Sequence, residues 1–153
     1  MNALPIANFI RDYRVTVQIS DLTAAQIARQ IKTMGMEDGS HYRVTLTRPR
    51  DGQRPATLTV PFSMGSGLGS ARPTAYDVLT CLAADATALD YDGDMYAWAA
   101  DLGYDLEDSP AQLREAKRTF NACVTIGNRL TDWLPEGIEP SDLEDDGSTP
   151  TDD

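Results

Sequence analysis

Few side chains in this sequence have the types and spacing that chemistry requires. His41 is the single histidine, and Cys81 and Cys123 are the only cysteines. A tetrahedral zinc site takes four ligands, and one histidine with two separated cysteines does not assemble one. A Ser-His-Asp or Cys-His arrangement through His41 lacks any nucleophile motif. His41 is therefore expected as an exposed strand residue, and the two cysteines, each inside an apolar helical pattern, as buried free thiols. The run Gly65-Ser66-Gly67-Leu68-Gly69 lies where phosphate loops occur, with Arg72 near the following helix start. It lacks the Lys-Ser/Thr ending of a Walker loop and the spacing of a dinucleotide fingerprint, so it reads as a flexible connector. Asp90-Tyr91-Asp92-Gly93-Asp94 resembles half of a calcium loop, with Asp101 at the twelfth position. Met95 stands where that loop needs glycine, and its terminal ligand is normally Glu, so a solvated acidic loop is the better reading. No cofactor, metal site or catalytic residue is expected, and the chain is not read as an enzyme.

What the sequence does concentrate is charge. The net charge is −11, and it is sharply divided. Residues 1–72 hold nine Arg or Lys against five Asp or Glu, whereas residues 73–153 hold four against nineteen. Between Asp77 and Asp108 there are nine acids and no base: Asp77, Asp85, Asp90, Asp92, Asp94, Asp101, Asp105, Glu107 and Asp108. Such a block repels nucleic acid and anionic lipid, and it attracts the basic grooves that hold DNA. Those nine acids, with Tyr104 among them, are the candidate partner-binding residues. Aromatic side chains often dominate interface energy, which adds Tyr96 and Trp98 as possible anchors. The bases Arg11, Arg14, Arg29, Lys32, Arg43, Arg48, Arg50 and Arg54 support an alternative, a small regulator touching nucleic acid through its N-terminal half.

The elements that must carry these residues suit an α+β fold. At 153 residues one domain is expected, since a chain of this size buries roughly 68–70% of its unfolded surface. No apolar run reaches the roughly 18–20 residues of a membrane span. The N-terminus lacks the features of a secretory signal, so the cytoplasm of a host cell is the expected location. Tyr13–Ile19 alternates and is β-branched, which predicts a strand. Ser20–Met34 has helical spacing, with Thr23 and Gln26 as a capping box and Gly35 as a stop. After a turn at 37–40, His41–Thr47 and Ala56–Phe62 are expected to form a hairpin around Pro49-Arg50-Asp51-Gly52.

Helices are expected from Pro73 and Thr74, near Asp94–Leu102, and from Ser109 onward. The second has Met95, Trp98 and Leu102 on one face. The third carries Leu113, Ala116, Phe120, Val124, Gly127, Leu130 and Leu134 as a stripe. The expectation is thus a small antiparallel sheet of about three strands, an N-terminal helix and a C-terminal three-helix region over residues 1–134. Residues 135–153, with eight acids and no base, are expected to form a disordered tail.

Residues 41–134 also resemble a family of small proteins from phages and mobile elements. The likeness rests on Val44-Thr45-Leu46-Thr47-Arg48, Leu58-Thr59-Val60-Pro61-Phe62-Ser63-Met64-Gly65, and Pro73-Thr74-Ala75-Tyr76-Asp77-Val78-Leu79-Thr80-Cys81-Leu82. It continues through Tyr96-Ala97-Trp98 and Asp101-Leu102-Gly103-Tyr104-Asp105, with Asp108-Ser109 completing the most specific block. Residues 1–35 and the tail depart from it. The resemblance implies a setting among phage accessory genes, where inhibitors of host defence such as anti-CRISPR proteins occur, and it supplies no catalytic residues. The expected partner is then a CRISPR–Cas effector or another nucleic-acid-binding defence complex, with homodimerisation left open.

Overall fold

The computed structural model describes residues 3–34, 40–64 and 72–144. The expected stop at Gly35, the turn at 37–39, the glycine-rich connector at 65–70 and the tail from 145 lie outside them.

The chain opens with β1 (Leu4–Pro5) and a helix α1 (Ile6–Tyr13) that buries Ile6 and Phe9. This helix replaces the start of the expected strand. Ile6, Phe9, Ile10 and Tyr13 recur at helical spacing, and Arg14 ends the helix in the left-handed conformation (φ 54°). Strand β2 therefore begins only at Thr16 (Thr16–Asp21). Helix α2 (Ala24–Met34) starts from the expected reciprocal cap: the Thr23 N–H donates to Gln26 Oε1 at 2.9 Å, and the Gln26 N–H to Thr23 Oγ1 at 3.2 Å. Strands β3 (Ser40–Arg50) and β4 (Gln53–Met64) form the expected hairpin, with Gly52 at φ 69° in its turn. Pairing of β2 with β3 completes a three-stranded antiparallel sheet of order β2-β3-β4.

Register sorts the sheet into two unlike faces. Val17, Leu46 and Leu58 align across the strands, as do Ile19, Val44 and Val60, and this face packs on the core. Threonines fill much of the opposite face; Thr45 and Thr59 are paired across it at 2.8 Å between hydroxyls. His41 falls on this second face opposite Ser63. Contrary to expectation His41 is buried, because Gln30 of α2 reaches over the strand end. Gln30 donates to the Phe62 carbonyl at 3.1 Å and to Ser63 Oγ at 3.2 Å, and Ser63 Oγ lies 2.7 Å from His41 Nδ1.

Three further helices follow. Helix α3 (Ala75–Ala86) is capped reciprocally by Thr74 and Asp77 and runs into a 3-10 turn at Thr87–Tyr91. Helix α4 (Met95–Asp101) is capped by Asp94, and α5 (Pro110–Trp133) by Ser109. Its 24 residues make α5 about 36 Å long. That length spans two separate apolar clusters. The C-terminal half of α5 (Ile126, Leu130, Trp133) joins α1, α3 and the sheet in the main core. Its N-terminal half (Ala116, Phe120) encloses Trp98 and Ala99 of α4 with Ala88 in a smaller one. Where α5 crosses the end of α3, Gly127 allows the approach: a Cβ there would lie 3.0 Å from Ala86 Cα and from Leu89 Cδ1.

The expected boundary at residue 134 falls short. Residues 135–144 continue into a 3-10 turn at Pro140–Asp142 and a strand β5 (Leu143–Glu144) that pairs in parallel with β1. Leu143 is buried in the main core and Ile138 packs against it, apolar contacts that hold an otherwise acidic segment. The molecule is thus mixed α+β, with a three-stranded antiparallel sheet and five α-helices among the described residues. No described helix is long and apolar enough to cross a membrane.

Candidate functional site

The ten candidate partner-binding residues separate into those used by the fold and those presented to solvent. Asp77 belongs to the first group: its Oδ2 accepts from the Thr74 N–H at 2.9 Å and its own N–H donates to Thr74 Oγ1 at 3.1 Å. Asp85, on the buried side of α3, accepts a hydrogen bond from the Cys123 thiol of α5. Burial pushes its carboxyl up to about 6, and the thiol bond offsets part of that rise. Burial and the neighbouring Asp85 charge push Cys123 itself up to about 12, which makes it a poor nucleophile. The cysteines differ from the expected buried pair. Cys123 is half-buried, whereas Cys81 is exposed, because its position on α3 lies outside the stripe formed by Val78, Leu79 and Leu82.

The remaining acids belong to the small helical unit built on the second core. Asp92 takes the left-handed conformation (φ 52°) that ends the 3-10 turn, and Asp94 Oδ1 accepts from the Ala97 N–H at 3.1 Å. Asp101 Oδ2 accepts from the Tyr91 hydroxyl at 2.7 Å, tying the 3-10 turn to the end of α4. Asp105 Oδ1 accepts from the Asp108 N–H at 3.1 Å, while the Asp105 N–H donates to Gln112 Oε1 at 2.7 Å. These bonds leave the carboxylates solvent-facing: Asp90, Asp92, Asp94, Asp101, Asp105, Glu107 and Asp108 are all exposed. None of the ten forms an ion pair among the described residues, where the pairs are Arg11–Asp12, Arg72–Asp21 and Arg118–Glu115. In the half calcium loop the Asp94 side chain caps α4, and no described group of three or more His, Cys, Asp or Glu is placed to hold a metal.

The aromatic anchors resolve differently. Trp98 is buried and serves the second core. Tyr104 is half-buried, stacked on Trp98 with ring centroids 5.8 Å apart. Tyr96 is 60% exposed and Leu102 61%, the two large hydrophobic side chains so exposed among the described residues. A groove of about 460 Å³ runs beside Tyr96, lined also by Ala100, Tyr104, Asp105, Leu106 and Glu107. Ala100 and Leu106 carry neither charge nor motif in the sequence. The four-residue spacing of Tyr96 and Ala100 on one helix face was the available signal.

Three arginines bind backbone carbonyls, while Arg11, Arg14, Arg43 and Arg54 of the basic half are exposed. Arg48 donates from Nε at 3.0 Å and Nη2 at 2.8 Å to the Trp133 carbonyl, and its guanidinium lies 5.7 Å from the Trp133 ring centroid. Burial, and then Arg50, hold its pKa below the usual guanidinium range. Arg50 donates to the Arg54 carbonyl at 2.7 Å, and Arg129 of α5 donates to the Thr59 carbonyl.

Neither a protein-family model, nor a curated protein, nor a solved structure matches this chain.

Proposed function

We propose that the chain is a stoichiometric inhibitor of a nucleic-acid-handling defence complex, of the anti-CRISPR kind, made by a phage or mobile element and acting in the host cytoplasm. Its acidic helical unit occupies an Arg/Lys-lined groove that otherwise holds DNA or guide RNA. The observation that carries this reading is the display of seven exposed acids around one small core, two of them held by capping hydrogen bonds and none ion-paired among the described residues. Duplex DNA presents one charge per about 1.7 Å of axis, so a competitor for its groove needs dense carboxylates on a rigid surface.

The test is an affinity capture from host lysate containing CRISPR–Cas complexes, washed at low and high salt and read by mass spectrometry. The wild-type chain is expected to retain a nucleic-acid-binding effector at low salt and to lose it at high salt. The Asp101→Lys, Asp105→Lys, Asp108→Lys triple variant is expected to retain none. Equal capture by that variant overturns the reading, as does a gel shift of generic DNA by the wild-type chain at low salt.

A further inference from the structure

The groove beside α4 has features that a solvated acidic face does not require. Tyr96 and Ala100 stand one helical turn apart and both line it, with Tyr96 largely exposed. Tyr104 on the lining is fixed in place, stacked on the buried Trp98 and with its N–H donating to the Ala99 carbonyl at 3.0 Å. The next residue is fixed as well, by the bond from the Asp105 N–H to Gln112. An exposed aromatic ring thus lies against a firm wall bearing two carboxylates, and neither Asp105 Oδ2 nor Glu107 is engaged by a described residue.

We propose that this groove receives an arginine side chain of the protein partner, its guanidinium stacked on the Tyr96 ring and paired with the Asp105 and Glu107 carboxylates. Charge complementarity selects a cation, since the lining carries the Asp105 and Glu107 carboxylates and no base. The exposed ring selects arginine over lysine: a planar, weakly hydrated guanidinium stacks on an aromatic face and pairs bidentately with carboxylate, whereas an ammonium is a compact, strongly hydrated point charge. An apolar helix would leave both carboxylates without a partner, and a nucleic acid would be repelled by them. The inference rests on the acidic-surface reading and names the anchor within it.

The test uses the full chain and three acetylated, amidated tripeptides Ala-X-Ala, with X arginine, lysine or citrulline. Backbone amide shifts are followed by NMR during titration, and effector capture is repeated with Tyr96→Ala and Glu107→Gln. The arginine peptide is expected to move the amides of Tyr96, Ala100, Tyr104 and Leu106 together and to bind about tenfold more tightly than the lysine peptide. Citrulline should produce no saturable shift, and each variant should weaken the arginine peptide and effector capture together. Equal binding of arginine and lysine peptides, or shifts spread over the acids without centring on the groove, overturns the inference. If Tyr96→Ala changes neither readout while the triple reversal abolishes capture, the arginine anchor fails and the acidic surface stands. If the arginine peptide seats in the groove but no effector is captured, the groove stands and the inhibitor reading fails.

Discussion

The sheet side of the molecule and the helical unit built on the second core use their charges in opposite ways. On the sheet side two cations bind the protein's own backbone. Arg48 closes on the Trp133 carbonyl, Arg129 on the Thr59 carbonyl, and the Trp133 indole N–H donates to the Ala56 carbonyl at 3.0 Å. Strand β4 is an edge strand, so α5 covers an edge that could otherwise pair with another chain. In the helical unit Asp94 and Asp105 each accept a capping hydrogen bond through one oxygen, Asp101 accepts from Tyr91, and all seven acids are exposed. Arg48 serves the scaffold, while Arg11, Arg14, Arg43, Arg50, Arg54 and Arg72 are exposed, as are the seven acids of the helical unit.

The sharpest way to break this comparison is at Trp133. Its side chain is buried, sits edge-on to Phe9 with centroids 6.0 Å apart, and ties α5 to β4. Trp133→Ala is expected to cost about 3–5 kcal/mol in urea unfolding. A cost near 1 kcal/mol would mean that the sheet is not held through α5. Trp98→Ala should also destabilise, by about 3 kcal/mol, but locally. Hydrogen exchange should rise in α4 and the first half of α5 while the β2–β4 ladder stays protected. Equal loss of protection in both regions would merge the two cores into one cooperative unit.

Asp85 lies at the boundary between the regions, a half-buried acid of α3 bonded to Cys123 of α5. Its folded pKa, pushed up to about 6 from 3.8, means that the native state holds this proton more tightly than the unfolded chain. The Asp85 contribution is thus neutral below about pH 4, grows unfavourable between about pH 4 and 6, and is fully unfavourable above that. Asp85→Asn should stabilise the fold at pH 8, by about 1–3 kcal/mol, and change little at pH 4. Unfolding curves of the pair at both pH values read this directly, and an equal effect at both would remove the titration as its cause. The smallest expected effect is at Gly127. A methyl group there meets Ala86 Cα, an overpacking cost of about 1–3 kcal/mol, against a helix-propensity gain of about 1 kcal/mol. A net loss of about 1 kcal/mol in thermal or urea unfolding is expected, and a net gain would show that α3 and α5 can move apart.

Much of this architecture was legible from residues a few positions apart. The reciprocal caps at Thr23 and Gln26 and at Thr74 and Asp77, the Ser109 cap and the Gly52 turn are local hydrogen-bonding devices. A sequence window contains both partners of each. The hairpin followed for the same reason, since a tight turn sets its register. Helix α1 was legible in principle from Ile6, Phe9, Ile10 and Tyr13, but the alternation that follows, through Val17 and Ile19, made Tyr13 look like the start of a strand. Leu143, an isolated apolar residue among acids, gave no periodic signal at all; only its pairing partner Leu4 gives it a place. The burial of His41 likewise depends on Gln30, which arrives from another helix.

For the candidate site the division falls in the same place. Composition by itself determined that the second half would be strongly acidic and would lack bases between Asp77 and Asp108, because charge is a property of residues and not of their arrangement. Only the tertiary structure decided which of those acids are engaged, which face solvent, and that Tyr96 and Tyr104 meet Asp105 and Glu107 along one groove. That decision was made by the packing of Trp98 against Phe120, which seats α4 on α5 and brings the 104–107 loop alongside it. Contacts of that range depend on how helices pack, and no short window of sequence contains both sides of them.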